Sequence, residues 1–395
     1  MSMGKKSIHS IYYEFGYQKF GPFLFGFSKW LKKHIDNKNY NKVFFFSRDG
    51  YMMKKAYDLI DEKKNATEYV YFSRKSLRQA LLWKTNSFEE SLKYLSWERF
   101  VSVGKLLEYF GFNEEERHGI AESNNLDLNR DLAFDDIATD SEISQLYFQY
   151  KDIIFQKSEI QSNLLLKYIN QIGMNDHFAI VDIGWHGSMQ YYLELFLYEN
   201  GLEATIDGYY VGILPNVPIK NNAYGYIYDK SRPQKRKDTL CFFGCLERLF
   251  QGFEGSTSGY KLNINGEVDP VLDQYEYINN EDIVLVDHIK EWQQAALDYI
   301  QASLSIEKTT ENYNELVQPL MKFGKTPTLM ETKIFEGFYI YDGAKRYFIS
   351  EKKIFQYKPK ELIHALSNSP WKTGFMKSAF KIPFPYYRIY EVIRK

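Results

Sequence analysis

Two short stretches of this chain carry residue types that can do chemistry. In "VFFFSRDGYMMKKAYDLI", residues 43–60, four apolar residues end in Ser47, Arg48, Asp49 and Gly50, and a helical pattern starts at once. A helix that follows a parallel strand presents unpaired amides and the positive end of its dipole, so such a turn suits an anion. Gly50 permits a tight turn and close backbone approach, and Arg48 offers a planar fork for phosphate oxygens. Asp49 would repel a bare phosphate. It fits if a divalent cation lies between the two, or if it accepts sugar hydroxyls. The plainer alternative is that Asp49 caps the helix and Arg48 pairs with a neighbour.

A second stretch, "VDIGWHGSMQ", repeats this grammar. Asp182 ends a predicted strand over 178–181, Gly184 and Gly187 bracket Trp185 and His186, and Ser188 opens a helix. The amides of such a loop can wrap a phosphate monoester while the acid faces the rest of the ligand. His186 reads as a second donor or a packed residue, although its pKa range permits proton transfer. In an open parallel sheet, ligands bind beyond the carboxyl ends of the strands. Two anion-friendly turns at that edge predict a substrate with two separated phosphate groups.

Other candidates are less specific. Arg74 and Arg78 lie four apart on a predicted helix, so both can reach one anion, or both can belong to an exposed basic face. Glu247 and Glu254 flank "RLFQGF", and either could deprotonate a hydroxyl or be an ordinary paired surface carboxylate. Cys241 and Cys245 have no second pair to complete a zinc site and read as reduced thiols.

The elements that must position these groups follow from the pattern. An apolar helical face (Phe23, Phe27, Trp30, Leu31) precedes the strand at 43–46, and Met52, Met53, Ala56, Tyr57 and Ile60 share one side of the next helix. A strand over 69–72 and a helix opening at Ser73 continue the alternation, which is the mark of a parallel sheet. Residues 83–167 look like a helical insertion. The α/β pattern resumes at Phe178, with further strands at 206–214 and near "AYGYIYDK", then a basic loop "KSRPQKRKD" and a hairpin through "KLNINGEVDPV". The predicted division is an α/β core of residues 1–82 and 168–235, the insertion 83–167, and a C-terminal region 236–395 suited to acceptor binding.

The chain has 395 residues, with 50 Lys and Arg against 51 Asp and Glu. That balance argues against a nucleic-acid coat, so no nucleic-acid partner is expected. No run of about twenty apolar residues exists, so nothing is expected to span a membrane. A cytoplasmic protein is expected. The final segment, "FKIPFPYYRIYEVIRK", either packs on the core or touches the inner face of the plasma membrane.

"SRDGYMMKKAYD", "YFSRKSLRQA", "VDIGWHGSMQ" and "LERLFQGFEGSTSGY" resemble the second module of proteins from bacterial polysaccharide gene clusters that are often labelled predicted HAD-superfamily hydrolases. The HAD chemistry itself needs an Asp-x-Asp motif after the first strand, and this chain has Ser47-Arg48-Asp49 there. The resemblance implies a phosphoribosyltransferase-like, Rossmann-like fold with a mostly parallel sheet, a helical insertion and a C-terminal extension. It implies a glycosyltransferase that moves ribofuranose 5-phosphate from phosphoribosyl pyrophosphate (PRPP), with Mg2+, to a sugar acceptor in capsule or O-antigen synthesis. The acceptor would be a glycan or lipid-linked oligosaccharide, and a separate HAD phosphatase would remove the 5-phosphate. By the same resemblance Arg48, Asp49, Gly50 and Tyr51 lie at the pyrophosphate, with Asp49 toward the metal. Arg74 and Arg78 assist there, Asp182 contacts ribose hydroxyls, and Gly184 to Ser188 cradle the 5-phosphate. Glu247 or Glu254 acts as base. A sugar phosphatase, a nucleotide-sugar glycosyltransferase and a non-catalytic assembly module stay open as alternatives.

Overall fold

A computed structural model describes residues 10–95, 100–306, 312–342 and 344–393. Its centre is an α/β unit built on a five-stranded sheet: β1 (Val43–Phe46), β2 (Thr67–Val70), β3 (Asp176–Trp185), β4 (Ala204–Ile213) and β5 (Asn222–Tyr228). The spatial order is β2-β1-β3-β4-β5, and every neighbouring pair is parallel. The sheet is doubly wound, because helices cover both faces and bury both sides of every central strand.

Alternation along the strands assigns the faces. Val43, Phe45, Ala179, Val181, Tyr209 and Val211 pack against one layer, and Phe44, Phe46, Phe178, Ile180 and Ile206 against the other. The first layer contains α1 (Gly21–Ile35) and α2 (Gly50–Ile60), which contribute Phe23, Phe27, Leu31, Met52, Met53, Ala56 and Tyr57. It also holds α6 (Phe243–Phe250), α7 (Ile283–Ser305) and aromatic residues as far along the chain as Trp371 and Tyr390. The second layer comprises α3 (Arg74–Gln79), α4 (Ser141–Gln171) and α5 (Ser188–Glu199). Buried residues between Leu82 and Ile154, among them Phe88, Leu107, Phe110 and Tyr147, form a separate apolar cluster.

Three sequence expectations shift. The strand expected at 69–72 ends at Val70, and Ser73 caps α3 by accepting from the Ser76 amide. The segment 83–167 is not all helical: Phe100–Ser102 pairs antiparallel with Asp131–Ala133, two runs too short to show a period. Its last helix, α4, continues to Gln171 and packs on the sheet, so no break falls at 167. The hairpin expected at "KLNINGEVDPV" is present, as Thr257–Leu262 against Val268–Leu272.

Candidate functional site

The strand order reverses between β1 and β3, and at such a switch point the two following connections leave in opposite directions and open a crevice. Both chemistry-bearing turns flank it. Phe45 is level with Val181, so by the same register Phe46 meets Asp182, and the Ser47–Gly50 turn stands beside Ile183–His186. Helix α6 supplies Glu247, and the chain after it supplies Gln251.

Asp49, Asp182 and Glu247 form one electrostatic cluster. Asp182 is 8% exposed. Burial, with a smaller push from Glu247, raises its pKa to about 6 against the amides of Ile183 and Gly184 and the charge of Arg74. Asp49 is pushed well above the carboxylate range by burial, then by Asp182 and Glu247, with Arg48 opposing. Glu247 is also raised by burial, against the Trp185 indole, which donates to its Oε1 at 2.9 Å, and against Arg74, Arg48 and Arg248. Stacking of Trp185 on Phe243, with ring centres 4.3 Å apart, holds that indole in place.

Asp49 occupies the N-cap position of α2 but makes no capping bond, and its Oδ1 is buried without a partner. Gln251 hydrogen-bonds to this carboxylate, and the remaining buried oxygen is free to accept from an ordered water or to meet a ligand. Arg48, by contrast, is paired: its Nη1 donates to Glu276 Oε2 at 2.6 Å, while Arg248 Nη2 donates to Glu276 Oε1 at 2.6 Å. The Gly252 amide holds the Arg48 carbonyl at 3.0 Å. The guanidinium of Arg74 is exposed, lies within electrostatic reach of Asp182, Glu247 and His186, and makes no hydrogen bond or ion pair with any described residue. His186 is exposed at the rim. Partial burial lowers its pKa, as do Arg236 and Arg74.

Several expected site residues are placed elsewhere or act differently. Arg78 does not share an anion with Arg74. It is buried, donates to the carbonyls of Arg74 and Tyr94, and lies over the rings of Tyr109 and Tyr192. A spacing of four aligned the two Cα atoms, but an apolar neighbourhood drew one side chain inward. Glu254 accepts from the Tyr69 hydroxyl, so its carboxylate is already engaged. The Tyr51 hydroxyl takes a bond from Lys55, and its ring meets Tyr69 and Phe253.

The second turn is shorter than expected. Strand β3 runs on through Gly184 and Trp185, which pair with Gly212 and Ile213 of β4. Gly184 has φ +100°, and a Cβ there would sit 2.4 Å from the Gly212 carbonyl oxygen. Gly187 caps α5 at φ +62°, where a Cβ would press on Ile213 and Ile219. Gly184 is therefore required by packing against β4 and Gly187 by its left-handed backbone, and the free amides are those of the first turn of α5, beginning at Ser188.

Sequence reading missed Glu276, Arg248, Gln251 and Tyr69. Glu276 and Arg248 reach the first turn from 228 and 200 positions away in the chain, and no local periodicity marks either. Cys241 and Cys245 are free and buried in the core. Among the described residues no three His, Cys, Asp or Glu side chains gather closely enough to hold a metal ion. A cation brought by a phosphorylated ligand needs fewer protein groups, since magnesium keeps waters and phosphate oxygens and takes one or two carboxylates. The unpartnered Asp49 oxygen fits that role. No family model matches this chain, and no curated protein matches it. The fold and site thus define a doubly wound α/β protein with three clustered carboxylates and two arginines at its switch point.

Proposed function

We propose that the crevice transfers a phosphorylated pentose from PRPP to a sugar hydroxyl. One observation carries the reading: two helix-opening turns stand side by side at the β1–β3 switch point, with buried carboxylates between them and a free arginine above. Neighbouring strands in a sheet lie about 5 Å apart, so one small ligand spans both turns. Arg74 and Arg48 meet the pyrophosphate, and the first turn of α5 meets the 5-phosphate. Asp182 takes the ribose hydroxyls. Magnesium, when bound with the donor, would neutralise the departing pyrophosphate, with Asp49 as its protein ligand.

In the reaction the acceptor oxygen forms a bond to C1 as the C1–O bond to pyrophosphate breaks. The acceptor proton passes to Glu247, whose raised pKa brings it toward working pH. Arg74 stabilises charge as it develops on the leaving oxygens, and the gripped 5-phosphate supplies binding energy that fixes C1. The Trp185 indole keeps Glu247 oriented.

The test is calorimetric titration with PRPP and Mg2+, beside a nucleotide-sugar, followed by measurement of pyrophosphate released with candidate glycan acceptors. Arg74→Ala is expected to weaken PRPP binding about 10- to 100-fold, the worth of a charge-assisted bond. Its melting temperature should change by only a degree or two, because the exposed guanidinium makes no hydrogen bond or ion pair with any described residue and acts on Asp182 and Glu247 through charge alone. A wild-type protein indifferent to PRPP, or an Arg74→Ala variant that binds it equally well, overturns the reading.

A further inference from the structure

The chain as a whole is nearly neutral, but residues 344–393 hold ten Lys and Arg against three Glu. Toward the end of this basic region, residues 380–385 ("FKIPFP") are exposed without interruption. Phe380, Ile382 and Phe384 are 40%, 52% and 49% exposed. Two prolines prevent the segment from hiding its backbone in a regular element. The helix that follows, Tyr386–Ile393, turns Tyr386 and Tyr390 into the core and leaves Arg388 and Val392 outside. A consecutive apolar tip with cations on its flanks has the composition of a surface that enters a lipid interface, where rings sit among acyl chains and lysines meet anionic headgroups.

The same face is continuous with a second basic segment. Tyr387 donates to the carbonyl of Lys237 at 3.1 Å and Tyr390 to that of Leu240 at 3.1 Å, which fixes the terminal helix against residues 230–240. That loop carries Lys230, Arg232, Lys235, Arg236 and Lys237, and Arg236 lies close enough to lower the pKa of His186. Tyr228, at the end of β5 where the loop begins, stacks on Trp185 beside His186 with ring centres 6.2 Å apart, so basic loop, terminal helix and apolar tip run from that turn outward.

We propose that this face, from the 230–237 loop to the tip at Phe380–Phe384, docks on an anionic lipid surface and turns the His186 rim of the crevice toward it. The occupant follows from charge complementarity: two basic segments flank an apolar tip on a chain whose remaining surface carries net negative charge. The proposal does not depend on the reaction proposed above. If both hold, a lipid-anchored acceptor would meet the crevice without leaving the interface.

The test is sedimentation of the full chain with vesicles of phosphatidylcholine alone or with about a third phosphatidylglycerol. Three variants accompany the wild type: Phe380→Ser/Ile382→Ser/Phe384→Ser, Lys381→Glu/Arg388→Glu, and Ile264→Ser at a distant, fully exposed hairpin tip as the control. Binding to the anionic vesicles is expected to fall at least about tenfold in each of the first two and to stay unchanged in the third. It should also weaken steeply with added salt, because each lysine or arginine near the surface contributes on the order of a factor of five. Unaltered melting temperatures certify the folds. No binding by the wild type, equal binding to neutral vesicles, or full binding by the triple variant overturns the proposal. So does a wild-type dimer in light scattering that the triple variant dissolves while vesicle binding is absent, since the patch would then cover a second copy of this chain.

Discussion

Asp182→Asn is expected to make the protein more stable at neutral pH while removing the PRPP binding proposed for it. The folded carboxyl holds its proton up to about pH 6, whereas a free aspartate releases it near 3.8. Between those values the native state binds more protons than the unfolded chain, so stability falls as pH rises through the window. The deficit is complete above about pH 6. Its size is on the order of a few kcal/mol, since each pH unit across that window costs about 1.4 kcal/mol. Asparagine keeps an oxygen for the Ile183 and Gly184 amides and carries no charge, so it should recover a good part of that amount. At roughly 2 °C per kcal/mol for a chain of this size, the melting temperature should rise by several degrees at pH 7.5 and not at all near pH 4. Fluorimetric melts at the two pH values make the comparison. A variant less stable at pH 7.5 would show that Asp182 is there for the fold. Loss of PRPP binding beside the gain would mark a group kept at a cost to stability for what it contacts.

The parts legible in the sequence were those written in local pattern. Alternation of strand and helix announced the parallel sheet, and the sharp change from Phe46 to Ser47-Arg48-Asp49-Gly50 announced where a strand hands over to a helix. The second turn was legible in kind but not in extent. Asp182 follows a buried run and looks like its end, yet β3 continues three residues further because Gly184 lets it pass close to Gly212. Sequence alone assigns such a glycine to ligand or to packing equally well; only the partner strand decides. Arg74 and Arg78 illustrate the same limit, since identical residue types at helical spacing ended in solvent and beneath two tyrosine rings. Carboxylates drawn together from three segments, at 49, 182 and 247, were each visible singly. Their mutual influence depends on strand order, which no short stretch encodes.

Glu276 is where the fold and the first turn are joined, and its replacement is the largest stability loss expected. Burial alone would raise its pKa, but the guanidiniums of Arg248 and Arg48 prevail and hold it at about 2. Arg248 is 2% exposed, and its Nε and Nη1 have no hydrogen-bond partner. Its charge is balanced by Glu276 and by the face of Tyr277, whose ring centre lies 4.7 Å away. Glu276→Ala leaves that cation buried and uncompensated, which costs about 3–5 kcal/mol. Urea unfolding should show the loss at pH 7. Because the folded pKa lies below the free value of 4.5, the contribution is whole above pH 4.5 and fades as pH falls toward 2, so wild type and variant should converge in acid. Adding Arg248→Met to Glu276→Gln should restore most of the stability, since two uncharged side chains of similar volume leave no uncompensated charge in the buried site. It should not restore the PRPP affinity proposed for the site, because Arg48 would still lack the carboxylate that aims it. If the double variant regains both stability and affinity, Glu276 serves Arg248 alone and has no part in positioning the turn.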